Sequence, residues 1–173
     1  MGTDPRIDRV MPVLGRAVAR MEIPAVEKIS EDSKNDAFQV LVSTMLSAQT
    51  KDAVTHAASM RLFAVAKTPA AIAALTIPRI EKLIYPVSFY RNKAVHLKAA
   101  CRKLLAEFGG RVPETMASLL TLPGVGRKTA NLVLLVAHQS PDNICVDTHV
   151  HRICNRLGWV KTRTPEQTEM ALY

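Results

Sequence analysis

The sequence predicts an all-α protein. Apolar residues recur at helical spacing nearly throughout, sustained strand alternation is absent, and prolines punctuate the chain at intervals that suit short helices. Val10, Val13, Leu14 and Ala17 form the first stripe, in a helix expected over 6–20. The stretch from Glu22 to Asp36, EIPAVEKISEDSKND, is polar and lacks periodicity at its centre, which reads as a linker. A helix start is expected after Ser33, followed by the stripe Phe38, Leu41, Val42, Met45 and Leu46. Further starts are expected at Pro69, Pro113 and Asp147, and stops at Gly109-Gly110 and Gly158, giving about eight to ten short helices.

Hydrophobic residues make up 48% of the chain, enough for a sizeable core, yet no run approaches the length of about 18 apolar residues that a membrane span needs. The opening MGTDPRIDRV has no continuous apolar segment of the secretory kind, so the expectation is an intracellular protein without a membrane partner. Lys and Arg outnumber Asp and Glu by 23 to 15, and a net charge of +8 suits a polyanion, nucleic acid first among them. A merely basic soluble protein is the alternative. Cys101, Cys145 and Cys154 include no C-x-x-C pair, which indicates neither a disulfide framework nor a zinc site but buried thiols.

LPGVGRKTANLV, from Leu122 to Val133, raises a question of charge. Arg127 and Lys128 stand where a helix begins, although a helix start already carries positive potential and unpaired N–H groups. With the apolar positions Met116, Leu119 and Leu120 before it and Ala130, Val133, Leu134 and Ala137 after it, the segment reads as helix, Gly-x-Gly hairpin, helix. Gly124, Val125 and Gly126 form a turn that can approach a surface closely, and amides at the second helix start can bind a phosphate, reinforced by Arg127. A plain αα-corner is the competing reading. For Lys128, positive potential favours the neutral amine, the form that attacks carbon; a lysine that only contacts phosphates is the alternative.

A second segment, ICVDTHVHRICNRLGW from Ile144, places Asp147 as an N-cap after an apolar run. A capping carboxylate accepts backbone N–H bonds and stays ionised at neutral pH, although most such aspartates only cap. His149 and His151, two apart, point in different directions on a helix, so no metal role is assigned and contacts to solvent or DNA are expected.

These two segments together resemble the endonuclease III family of DNA glycosylases, in the helix-hairpin-helix glycosylase superfamily. The resemblance extends upstream to LVSTMLSAQTKD (Leu41 to Asp52) and KLIYPVSFYRNKAVHLK (Lys82 to Lys98), and so to most of the chain from about residue 34. It implies a six-helix barrel domain over 34–143 that contains the hairpin of about 113–137. A second helical domain, C-terminally incomplete, is implied over 1–33 and 144–173. By matching position, Lys128 corresponds to the nucleophile and Asp147 to the catalytic aspartate. Gln49 corresponds to a glutamine that enters the duplex near an extruded base. Phe89 falls where an apolar wedge is common, with ordinary packing beside Tyr85 and Tyr90 as the alternative.

The implied activity is bifunctional: removal of oxidised pyrimidines from duplex DNA through a lysine Schiff base, then β-elimination, with damaged double-stranded DNA as partner and a monomer as the acting form. A non-catalytic helix-hairpin-helix binding module and a monofunctional relative are the alternatives; the lysine argues against the second. The implied location is whichever compartment holds DNA, a prokaryotic nucleoid or a nucleus. Family members usually continue into a loop of cysteines that ligates a [4Fe-4S] cluster, and this sequence has no such loop. No cofactor is therefore expected in this chain. Truncation is the expected reason, and it predicts exposed apolar area on helix 6–20, lower stability and weaker DNA binding.

Overall fold

The computed structural model describes residues 5–173. Met1 to Asp4, the start of the segment expected in the second domain, lie outside the described residues. Eleven α-helices and no strands occur among the described residues, and none of the helices is long and apolar enough to cross a membrane. They are α1 (Pro5–Val18), α2 (Ala25–Asp32), α3 (Ala37–Ser47), α4 (Asp52–Val65), α5 (Pro69–Ala74) and α6 (Ile77–Ile84). After these come α7 (Tyr90–Phe108), α8 (Met116–Leu119), α9 (Arg127–Val136), α10 (Thr148–Arg156) and α11 (Pro165–Leu172).

Side-chain caps explain many of the starts. Asp36 accepts from Gln39 N at 3.0 Å, Thr68 from Ala71 N at 3.2 Å and Thr164 from Gln167 N at 3.2 Å, and α5 and α11 carry proline in the first turn, where its missing N–H is harmless. Gly109, at φ +58, ends α7, and Gly158, at φ +69, follows α10, as the sequence predicts.

Three local expectations change. The stretch 22–36 contains a helix, because Ala25, Val26, Ile29 and Ser30 recur at helical spacing and bury one face. Ser33 ends that helix rather than starting the next; a turn through Lys34 and Asn35, both at positive φ, leads to the Asp36 cap of α3. The start expected at Pro113 is delayed to Met116, where Thr115 accepts from Ser118 N at 3.3 Å.

α3 lies at the centre. Val40, Leu41, Val42 and Leu46 are all buried, and the helix packs on α2, α4, α7 and α9, as an all-round apolar helix must. The core continues through Leu62, Ile72, Ile80, Ile84, Leu97, Leu104 and Val133. α10 packs on α11, where His151 Nδ1 lies 2.6 Å from Thr168 Oγ1 and Asn155 exchanges hydrogen bonds with Thr162. α1 exposes Met11, Val13, Leu14 and Val18, the apolar area expected from the sequence, while Arg6 donates to the carbonyls of Leu157 and Gly158.

If α2 is core structure rather than linker, Ile29→Ala lowers unfolding free energy by about 2–5 kcal/mol, the range for deleting a buried aliphatic side chain. Denaturant unfolding measures this; a change below about 0.5 kcal/mol, typical of a surface position, would contradict the packing.

Candidate active site

The start of α9 and the start of α10 face each other. Gly126 precedes α9 without a side-chain cap, so Arg127 and Lys128 occupy its first turn. Asp147 caps α10: its Oδ1 accepts from the N–H of His149 and of Val150, each at 2.9 Å. Its other oxygen, Oδ2, lies 3.4 Å from Lys128 Nζ. Partial burial pushes the Asp147 carboxyl up, but the Val150 N–H, the charge of Lys128 and the His149 N–H outweigh it and hold the group below its ordinary value.

Both side chains line a cleft of about 550 Å³, together with Gln49, Ser47, Thr50, Leu132 and His149. Lys128 remains 59% exposed there, so a molecule entering the cleft can reach its amine. Gln49 stands on the turn between α3 and α4 at φ +55, with its side chain exposed. Phe89 precedes α7, also at φ +55, and is 64% exposed; the ring contact at this corner is between Tyr85 and Tyr90, with centroids 5.4 Å apart. The structure thus brings Lys128, Asp147 and Gln49 into one cleft and leaves Phe89 prominent on the neighbouring loop.

Within the hairpin, the two glycines differ. Gly124 has φ +79, and a Cβ there would stand 2.8 Å from His96 Cβ, so both conformation and space require glycine. Gly126 is extended, with nothing within 4 Å of where a Cβ would lie, which leaves the backbone at the start of α9 open. Val125 buries its side chain in the core and donates its N–H to Leu122 O at 3.1 Å. Arg127 turns to Glu169 of α11, through Nε at 3.2 Å and a second bond from Nη2 to Oε1. Its guanidinium is thereby committed within the protein, and the positive neighbour that the sequence offers Lys128 carries its own counter-charge.

Glu169 is only 2% exposed and is a residue that sequence reasoning misses, as is Lys93 of α7, which donates to Leu46 O, Ala48 O and Thr50 Oγ1. α3 ends in carbonyls that need donors, but nothing local in the sequence names Lys93 as the one that supplies them. His149 lines the cleft, whereas His151 turns inward to Thr168, contrary to the solvent or DNA contacts expected for it.

The three cysteines do not fit an iron–sulfur cluster. Cys101 sits in the core, where burial pushes its thiol up to about 12; Cys154 is buried in α10; Cys145 lies 3.7 Å from the Lys128 carbonyl. No group of three or more metal-ligating side chains occurs among the described residues.

A helical protein with a glycine hairpin, and with a lysine paired to a helix-capping carboxylate in an open cleft, has the architecture of a helix-hairpin-helix DNA glycosylase. Residues 42–173 match the family described as HhH-GPD superfamily base excision DNA repair protein. Endonuclease III of Thermotoga maritima is 52% identical over 139 residues, which are 80% of this chain and 65% of that protein. A non-covalent endonuclease III–DNA complex superimposes with a TM-score of 0.85 at 32% identity, over 99% of this chain and 77% of that one. A trapped endonuclease III–DNA covalent intermediate, in an estranged-adenine complex, gives 0.84 at 32% identity over 99% and 78%. The chain belongs to the endonuclease III family of the HhH-GPD superfamily. It spans less than two thirds of the length of the curated relatives it matches.

Two outcomes follow from this geometry. Gly124→Ala loses at least about 1–3 kcal/mol through the left-handed backbone alone, whereas Gly126→Ala stays within about 1 kcal/mol of the parent in denaturant melts. Burial pushes the Glu169 carboxyl up, but the Arg127 bond, Asn131 and the Arg127 charge hold it below its ordinary 4.5. Asp147 is likewise held below 3.8. Depressed carboxyls contribute stability that is fully present above those ordinary values and is lost as pH falls through the lower folded ones. Thermal melting should therefore weaken below about pH 4, and Glu169→Gln should flatten that acid limb.

Proposed function

We propose that the chain is a bifunctional DNA glycosylase and abasic-site lyase of base excision repair, acting as a monomer on oxidised pyrimidines in damaged duplex DNA. The observation that carries this reading is the Lys128–Asp147 pair at 3.4 Å, at the wall of an open cleft of about 550 Å³. The substrate class rests on the likeness to endonuclease III. Damaged bases must leave the stack to be reached, and Gln49 and Phe89, exposed on adjacent loops, are suited to fill the space.

With the nucleotide swung out, Lys128 gives up a proton to solvent and its amine attacks the deoxyribose C1′. The C1′–N glycosidic bond breaks, and the base leaves with its electron pair and takes a proton from solvent. Asp147, ionised at neutral pH, stabilises the positive charge on the sugar and accepts the proton the amine releases. The C1′–O4′ bond then breaks, O4′ takes the proton held by Asp147, and a Schiff base remains between Nζ and C1′. Loss of a C2′ proton then expels the 3′ phosphate and cuts the strand. The amides at Gly126 and in the uncapped first turn of α9, on exposed backbone, are suited to hold a phosphate without reading sequence. Arg127, its charge spent on Glu169, ties the start of α9 to α11 instead of meeting the phosphate itself.

Borohydride trapping on duplex DNA carrying an abasic site or thymine glycol tests the reading. A covalent adduct is expected for the parent chain and none for Lys128→Ala. Asp147→Asn keeps a good helix cap, so it should melt near the parent while losing about 10²–10⁴-fold in trapping rate. DNA binding with no adduct from the parent chain would instead identify a binding module.

A further inference from the structure

Lys93 has an environment out of keeping with a surface lysine. Its ammonium reaches from α7 into the turn that closes α3, donating to Leu46 O at 2.7 Å, Ala48 O at 2.6 Å and Thr50 Oγ1 at 3.3 Å. Burial pushes its pKa down to about 8, so the site disfavours the charge that the oxygens hold in place. Those oxygens flank Gln49, the left-handed residue at the turn's tip. Thr50 Oγ1 also accepts from Ser88 N at 3.2 Å, and Ser88 immediately precedes Phe89, itself left-handed. One amine and one hydroxyl therefore join the two loops that present the exposed Gln49 and Phe89 side chains.

We propose that Lys93 is a positioning residue whose ammonium ties the Gln49 turn to the Phe89 loop, so that both side chains enter a duplex as one rigid wedge. The proposal rests on the reading that this chain opens duplex DNA at a lesion. Three donors meet Leu46 O in the last turn of α3, the carbonyl of its cap Ala48 and the Thr50 hydroxyl, and so hold the chain on both sides of Gln49. The Thr50 hydroxyl transmits that order across to Ser88. Without the tie, each loop would have to be ordered anew at every insertion, and the ordering would subtract from binding at the lesion.

The test is lesion preference in binding, measured by fluorescence anisotropy as the affinity ratio between a duplex containing a tetrahydrofuran abasic analogue and the intact duplex. The analogue has no aldehyde and forms no Schiff base, so the ratio reports insertion and not chemistry. The parent chain should prefer the analogue duplex at least tenfold. Lys93→Met should reduce that preference at least fivefold, and Lys93→Arg, which keeps charge and donors, should restore most of it. Thr50→Val, nearly isosteric, removes the shared acceptor and should reduce the preference at least threefold while still melting cooperatively; it decides the matter if Lys93→Met unfolds. Preference within twofold of the parent in Thr50→Val and in folded Lys93→Met would overturn the proposal, as would a parent chain with no preference. A parent chain that prefers the analogue yet forms no borohydride adduct would refute the enzymatic reading and leave the wedge standing.

Discussion

Asp147 divides its two oxygens between two tasks, and the site depends on that division. Oδ1 takes both N–H groups at the start of α10, while Oδ2 faces Lys128 across the cleft. The cap fixes the carboxylate's position, because turning it towards the lysine with both oxygens would leave two amides without a partner. The same bonds keep it ionised. Helix cap and ion-pair partner thus coincide in one side chain, and the cap fixes the oxygen that faces the amine.

The basic pair at the head of α9 follows a similar logic. Arg127 opposes the helix dipole, but Glu169, almost wholly buried, accepts its guanidinium as a fork. A buried carboxylate is costly alone, and the two groups offset each other's misplacement. The pairing joins α11 to α9 across more than 40 positions of sequence, next to the lysine. Lys128 is then left as the residue of the pair whose amine faces the cleft.

How much of this was legible in the sequence depends on the range of the interaction. Local signals read well: the Asp147 cap, the glycine hairpin, the stops at Gly109 and Gly158, and the stripe of α3 all rest on neighbours within a turn or two. The α2 helix was hidden by its charged exposed face, since only Ala25, Val26, Ile29 and Ser30 report its buried side. Delayed onset of α8 turned on Thr115, a cap competing with a proline that also favours helix starts. Glu169 and Lys93 were out of reach, because their partners lie 42 and 43–47 positions away and no periodicity marks such pairs.

The positions of Gln49 and Phe89 show what such long-range pairs can sustain. A left-handed backbone costs about 1–3 kcal/mol at a residue other than glycine, so two such sites persist only where the surroundings over-determine them. α3 supplies the fixed side, buried on every face from Val40 to Leu46. Lys93 and Thr50 supply the crossing bonds. Strain borne in the folded state, under the proposed wedge, need not be introduced when DNA arrives, and the exposed side chains would then meet the duplex already ordered. Rigidity at the tip and solvent exposure of the side chains are compatible here because the ordering bonds lie behind the turn, on its carbonyl side.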